Sequence, residues 1–110
     1  MRHRIVLIEA AKSDLRDIFR YVELNGSSER ADNLIGGIEQ TIIALGVMPE
    51  RGNYPPELER IGIREFREVH FKPYRIIYSI IEDEVVVQCV LDGRRDMQTL
   101  LQQRDRKSVV

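Results

Sequence analysis

Two helical stripes in immediate succession constrain this chain more than any other feature. Ala11, Leu15, Ile18, Phe19 and Val22 recur at the spacing that lines one face of a helix, while Lys12, Asp14, Arg16, Asp17 and Arg20 fall off it. Asn25-Gly26 then offers a left-handed stop, and Ser27-Ser28 an N-cap. A second stripe begins at once with Ala31, Leu34, Ile35, Ile38, Ile42 and Leu45, and Pro49 is expected to end it. Two amphipathic helices joined by so few residues must lie antiparallel, as a hairpin. Such a hairpin shows one apolar side, and another layer has to cover it.

The rest of the chain reads as that layer. Arg4–Ile8 is a short β-branched run, and Arg64–Phe71 alternates loosely, as an edge strand does. Tyr74–Ile81 and Val85–Leu91 are apolar on both faces, which predicts central strands, with turns at Lys72-Pro73 and Glu82-Asp83-Glu84. The first strand is expected to pair with the last. Asp96 is placed to cap a short C-terminal helix whose Met97, Leu100 and Leu101 dock on the body. The expected fold class is α+β: a two-layer domain of N-terminal strand, helical hairpin, antiparallel three-strand meander and short C-terminal helix. One domain spans residues 1–104, with a frayed tail at 105–110. Residues 49–62, with three prolines, read as a loop. Gly36-Gly37 inside the second helix reads as close helix–helix packing.

Composition supports one self-sufficient core. Of the 110 residues, 32 are Ile, Val or Leu, enough to bury a core without disulfides, and the single Cys89 permits none within the chain. Cys89 lies among valines, where a small buried hydrophobe is expected. There is no apolar run long enough for a membrane span and no secretory leader pattern, so the expected location is the cytoplasm. The net charge of −1 gives no global pull toward nucleic acid, yet 14 of the 17 cations are Arg, the residue suited to bidentate pairing with carboxylate or phosphate.

Familiar catalytic motifs are absent: no phosphate loop, no dinucleotide glycine fingerprint, no nucleophile elbow. His3 and His70 are too few for a metal site, so neither metal nor cofactor is expected. What remains is a convergence. Pairing across the Glu82–Glu84 turn sets Arg75 opposite Leu91 or Asp92, so the Lys72-Pro73 turn and the exit of the last strand share one end of the sheet. Lys72, Arg75, Arg94 and Arg95 gather there, with His70 in support and Asp92 and Asp96 as local acids. Gly93 is expected to let the chain turn sharply there and present Arg94 and Arg95. The cluster either holds an anionic partner or pairs internally with nearby carboxylates. Tyr74 and Tyr78 stand close enough in sequence to supply further chemistry.

The segments Arg67–Tyr78 and Val85–Asp96, with the helix opening Ala10–Ile18, resemble the RelE/ParE toxin superfamily of bacterial type II toxin-antitoxin and plasmid-stabilisation modules. The resemblance spans about residues 4–104. It implies a toxin that inhibits growth and is neutralised by a cognate antitoxin in a hetero-oligomer, the antitoxin resting on the apolar face near Leu15, Phe19 and Val22. Within the superfamily, RelE-like members are ribosome-dependent mRNA endonucleases, usually very basic and often with a Tyr or His near the C-terminus. ParE-like members poison DNA gyrase and lack that set. Leu91–Val110 holds neither Tyr nor His, and Gly93-Arg94-Arg95-Asp96 looks ParE-like, which favours the gyrase branch with no catalytic residue. The alternatives are the ribonuclease, acting on ribosome and mRNA, and a non-toxic module that only binds an antitoxin.

Overall fold

A computed structural model describes residues 2–93. The order is β1 (Arg4–Leu7), α1 (Glu9–Asn25), α2 (Ser28–Ala44), a 3₁₀ turn (Pro49–Arg51), α3 (Pro56–Glu59), β2 (Arg67–Phe71), β3 (Tyr74–Ile81) and β4 (Glu84–Asp92). The four strands form one sheet in the order β1-β4-β3-β2. β2, β3 and β4 make the antiparallel meander, and β1 pairs with β4 in parallel, Arg4 beside Glu84 and Leu7 beside Val87. The fold is thus the expected α+β arrangement, with the first strand beside the last. The expected C-terminal helix, its Asp96 cap and the 105–110 tail lie outside the described residues.

The helical hairpin covers one sheet face. Ala11, Ile38, Ile42 and Leu45 pack with Val69, Ile76, Tyr78, Val85, Val87 and Val90. Leu15, Ile18, Leu34 and Ile35 close its margin. A second, smaller cluster covers the opposite face: Leu58 of α3, Phe66 and Ile63 lie on Ile77, Cys89 and Leu91. Cys89 is fully buried, as its valine neighbours suggested.

Several local expectations give way to tertiary contacts. Ile8 caps α1 instead of extending β1, its carbonyl accepting from the Ala11 and Lys12 amides. Gly26 follows α1 at φ −147°, not in a left-handed turn, and the Asn25 side chain closes the helix by donating to the Tyr21 carbonyl at 2.8 Å. Ser27 is the N-cap of α2, accepting from the Arg30 amide at 3.1 Å. α2 ends at Ala44, well before Pro49, because the chain must turn down to β1: the His3 amide donates to the Gly46 carbonyl at 2.7 Å. A Cβ on Gly46 would stand 3.0 Å from the His3 carbonyl.

Of the glycine pair in α2, Gly37 serves the sheet, not α1. A Cβ on Gly37 would run into the Phe71 ring of β2, whereas one on Gly36 would meet nothing within 4 Å. Gly37 therefore admits an aromatic ring between helix and sheet. β2 starts at Arg67, three residues later than the alternation suggested, because Phe66 turns under the opposite face. Residues 49–62 are not a free loop. The Asn53 amide donates to the Glu68 carbonyl at 3.1 Å and the Glu68 amide to Asn53 at 2.7 Å, so this segment blunts part of the outer edge of β2.

Candidate functional site

The β2–β3 turn and the exit of β4 meet at one end of the sheet, as the register count required. Arg75 lies opposite Leu91, Tyr74 opposite Asp92, and the Gly93 amide donates to the Pro73 carbonyl at 3.1 Å. Gly93 is not in a left-handed conformation; its backbone runs over the stem of Arg75, whose Cδ would be 3.6 Å from an added Cβ. Arg75 and Lys72 therefore belong to the same corner. Arg94 and Arg95 continue from it, outside the described residues.

Arg75 is not one of four outward-facing cations. Its side chain is 11 % exposed and is held by two carboxylates. Nε donates to Glu68 Oε1 at 2.6 Å and Nη2 to Glu68 Oε2 at 3.0 Å. Nη1 donates to Glu57 Oε2 at 2.6 Å and Nη2 to Glu57 Oε1 at 2.9 Å. Both contacts are two-point, the geometry that a planar guanidinium favours. Glu68 from β2 is 2 % exposed and Glu57 from α3 is 39 % exposed. The Arg75 guanidinium holds the Glu57 carboxyl below its ordinary value, and Glu57, ahead of Glu68, pushes the Arg75 pKa up still further. Internal pairing, the plainer of the two expectations for this cluster, describes Arg75.

The supporting residues divide. His70 is half-exposed, with Nε2 3.1 Å from Glu68 Oε1. Lys72 is exposed on the turn. Tyr78 is fully buried; its hydroxyl donates to the Pro49 carbonyl at 2.6 Å and accepts from the Gly52 amide at 3.1 Å. Burial pushes the Tyr78 hydroxyl pKa up, so this group works as a staple for the 49–52 turn. Tyr74 lines a groove with Asp14, Asp17, Ile18, Tyr21, Val90, Leu91 and Asp92, between α1 and the sheet end. Burial first, then the Asp92 carboxylate, raises its pKa.

Along α1, Leu15 packs on the main core, while Phe19 and Val22 are half-buried. Tyr21 at 65 % and Leu24 at 77 % exposure extend the apolar character of that helix into solvent.

Glu57, Glu68 and Asn53 belong to this candidate site and were not singled out by the sequence reading. A signal for Glu68 existed: Glu68 and His70 share a strand face, and His70 is registered opposite Arg75. Nothing comparable announced Glu57, whose position depends on how α3 lies on the sheet. Among the described residues, no group of three or more His, Cys, Asp or Glu side chains is arranged to hold a metal ion, and no helix is long and apolar enough to cross a membrane.

This chain resembles known proteins over most of its length. Toxin ParE3 of Caulobacter vibrioides is 29 % identical over 94 residues, covering 86 % of this chain and 90 % of that protein. The chromosomal ParDE toxin-antitoxin system from P. aeruginosa superposes with a TM-score of 0.70 at 14 % identity, over 83 % of this chain and 96 % of that one. A mutant of E. coli toxin RelE in the free state gives 0.64 at 14 % identity, over 97 % and 98 %. At such identities the solved structures speak for the fold, which is the RelE-like one. The model of the ParE toxin of the type II toxin-antitoxin system parDE matches residues 5–97, and the chain accordingly belongs to that family of toxins.

Proposed function

We propose that this protein arrests growth by poisoning DNA gyrase in the cytoplasm, and that a cognate antitoxin neutralises it. The observation that carries the gyrase branch is that Tyr78, the buried candidate acid–base group of the sheet, is already committed, and that His70 is paired with Glu68. Tyr78 is tied to Pro49 and Gly52, and Glu68 and Arg75 hold each other. The sequence after β4 adds neither Tyr nor His. General acid–base cleavage of RNA needs such groups within reach of the reacting atoms and free to exchange a proton. A surface that only grips a target needs no such freedom. The family match and the ParE3 relative support the same branch.

In this reading Lys72, Arg94 and Arg95 meet the target, and Arg75 holds the corner from which they extend. The antitoxin lies along α1, over Phe19 and Val22 toward Tyr21 and Leu24, with Leu15 beneath. Its acidic residues reach the basic corner.

The test is a gyrase supercoiling assay with purified protein, beside mapping of mRNA ends in cells expressing it. Inhibited supercoiling without translation-dependent cleavage is expected; the reverse pattern overturns the proposal. If these two residues meet the target and hold nothing in the fold, Arg94→Ala with Arg95→Ala should abolish toxicity at an unchanged melting temperature. Full toxicity, or an unfolded protein, counts against the two arginines as the target surface.

A further inference from the structure

The two carboxylates on Arg75 are unequal. Glu68 is sealed under the sheet at 2 % exposure and takes the Nε side of the guanidinium. Glu57 approaches the Nη side from α3 and is 39 % exposed. It can leave by side-chain rotation alone, because α3 is anchored independently by Leu58, which is 1 % exposed and packs in the second cluster. A groove of about 440 Å³ reaches this side of Arg75, lined by Asn53, Glu57, Arg60, His70 and Gly93 among others.

We propose that the Nη side of Arg75 is an exchangeable carboxylate site, in which Glu57 is the internal occupant and an acidic side chain from a protein partner replaces it. The charge balance selects the ligand class. Glu68 stays in place, so its single negative charge continues to balance the guanidinium from behind. A monoanionic carboxylate substitutes for Glu57 with no change in the charge that touches the guanidinium, while the Glu57 carboxylate turns to solvent. A phosphate dianion adds a second negative charge facing Glu68 and is disfavoured. The incoming carboxylate inherits the two-point contact with Nη1 and Nη2, while Arg60 at the groove wall supplies a second cation nearby.

The antitoxin is the acidic partner, and this identification rests on the function proposed above; the site itself does not. Glu57 then acts as a competitor that keeps Arg75 satisfied until the partner arrives, which avoids leaving a desolvated guanidinium half-paired in the free toxin. The apparent affinity for the partner is lowered by the fraction of time in which Glu57 occupies the site.

Acetyl-hexaglutamate amide is a direct probe, followed by NMR at the arginine side-chain Nε–H signals of the intact protein. A saturable shift at Arg75 is expected, with Glu57→Gln binding about fivefold more tightly, the upper range for releasing a partly exposed pair. Arg60→Gln should bind about threefold more weakly with the fold intact. Absence of a saturable shift at Arg75, or an affinity that Glu57→Gln leaves unchanged or weakens, overturns the proposal. Co-elution with the product of the neighbouring gene reports separately on the antitoxin. A failed titration with intact co-elution removes the exchange site alone, and a positive titration supports the site whatever co-elutes.

Discussion

The two faces of the sheet are covered by different means. On one, two helices of 17 residues each and the turn after them lay Ala11, Ile38, Ile42 and Leu45 over Ile76, Tyr78, Val85 and Val87, and the contact is mainly apolar, with one polar link where the Val90 amide donates to Asp14 Oδ2 at 2.9 Å. On the other, a short segment from Pro55 to Phe66 covers Ile77, Cys89 and Leu91, and polar links do much of the fastening. Arg75 ties α3 to β2, and Asn53 pairs with Glu68 at the sheet edge. Periodic burial makes a face that tolerates gradual loss. A face pinned by a few charged groups fails at single points.

Removing the pin should therefore have the largest effect. Arg75→Met leaves Glu68 buried without its cation and should cost roughly 3–5 kcal/mol, read by urea denaturation. Adding Glu68→Leu should recover much of that loss, because the uncompensated charge goes with it. If the double variant is as unstable as the single one, the polar fastening is not what holds the second face. Leu58→Ala should cost roughly 2–3 kcal/mol, the low end for a buried leucine, because α3 is short enough to settle into the space. Ile38→Ala on the helical face should cost more, and equal costs would erase the contrast.

Tyr78→Phe should cost about 1–2 kcal/mol. It leaves the Pro49 carbonyl and the Gly52 amide without their shared partner, and lost protection of the Gly52 amide from hydrogen exchange should accompany it. The smallest effect belongs to Glu57. Its carboxyl is held below the ordinary 4.5 by Arg75, so its contribution is present above that value and is lost as pH falls through the lowered folded-state pKa. Glu57→Gln should thus lower stability slightly at neutral pH and converge with the parent protein in acid, which flattens the acid limb of the stability curve. An unchanged acid limb would mean that solvent already screens the pair.

The same contrast explains what could be read from the chain before its structure. The helical face was legible because it is written in local periods: the stripes from Ala11 and Ala31, the Ser27 cap, the two-sided apolar strands at Tyr74 and Val85. The Arg75–Leu91 register followed from counting across a turn. The end of α2 did not, because Gly46 is committed to His3, more than forty residues earlier. Gly37 was visibly unusual, but its partner Phe71 lies on β2 and not on the neighbouring helix. At the candidate site the convergence of cations was countable, whereas their neutralisation was not. Glu57 reaches Arg75 only through the path of a proline-rich segment that carries no period.

One further consequence comes from the parallel pairing of β1. Arg4 stands beside Glu84, so the opening strand has no neighbour to lie against until β4 has been synthesised. The helical hairpin and the β2–β3 ribbon join elements close in sequence and can form early, whereas closure of the sheet waits for contacts of high sequence separation. A nascent chain halted before residue 84 leaves Ile5 and Leu7 uncovered along with the sheet-facing side of both helices, and such surfaces are what quality-control proteases and chaperones recognise. The sheet, and the corner where Tyr74 meets Asp92, is thereby completed only once β4 has been made.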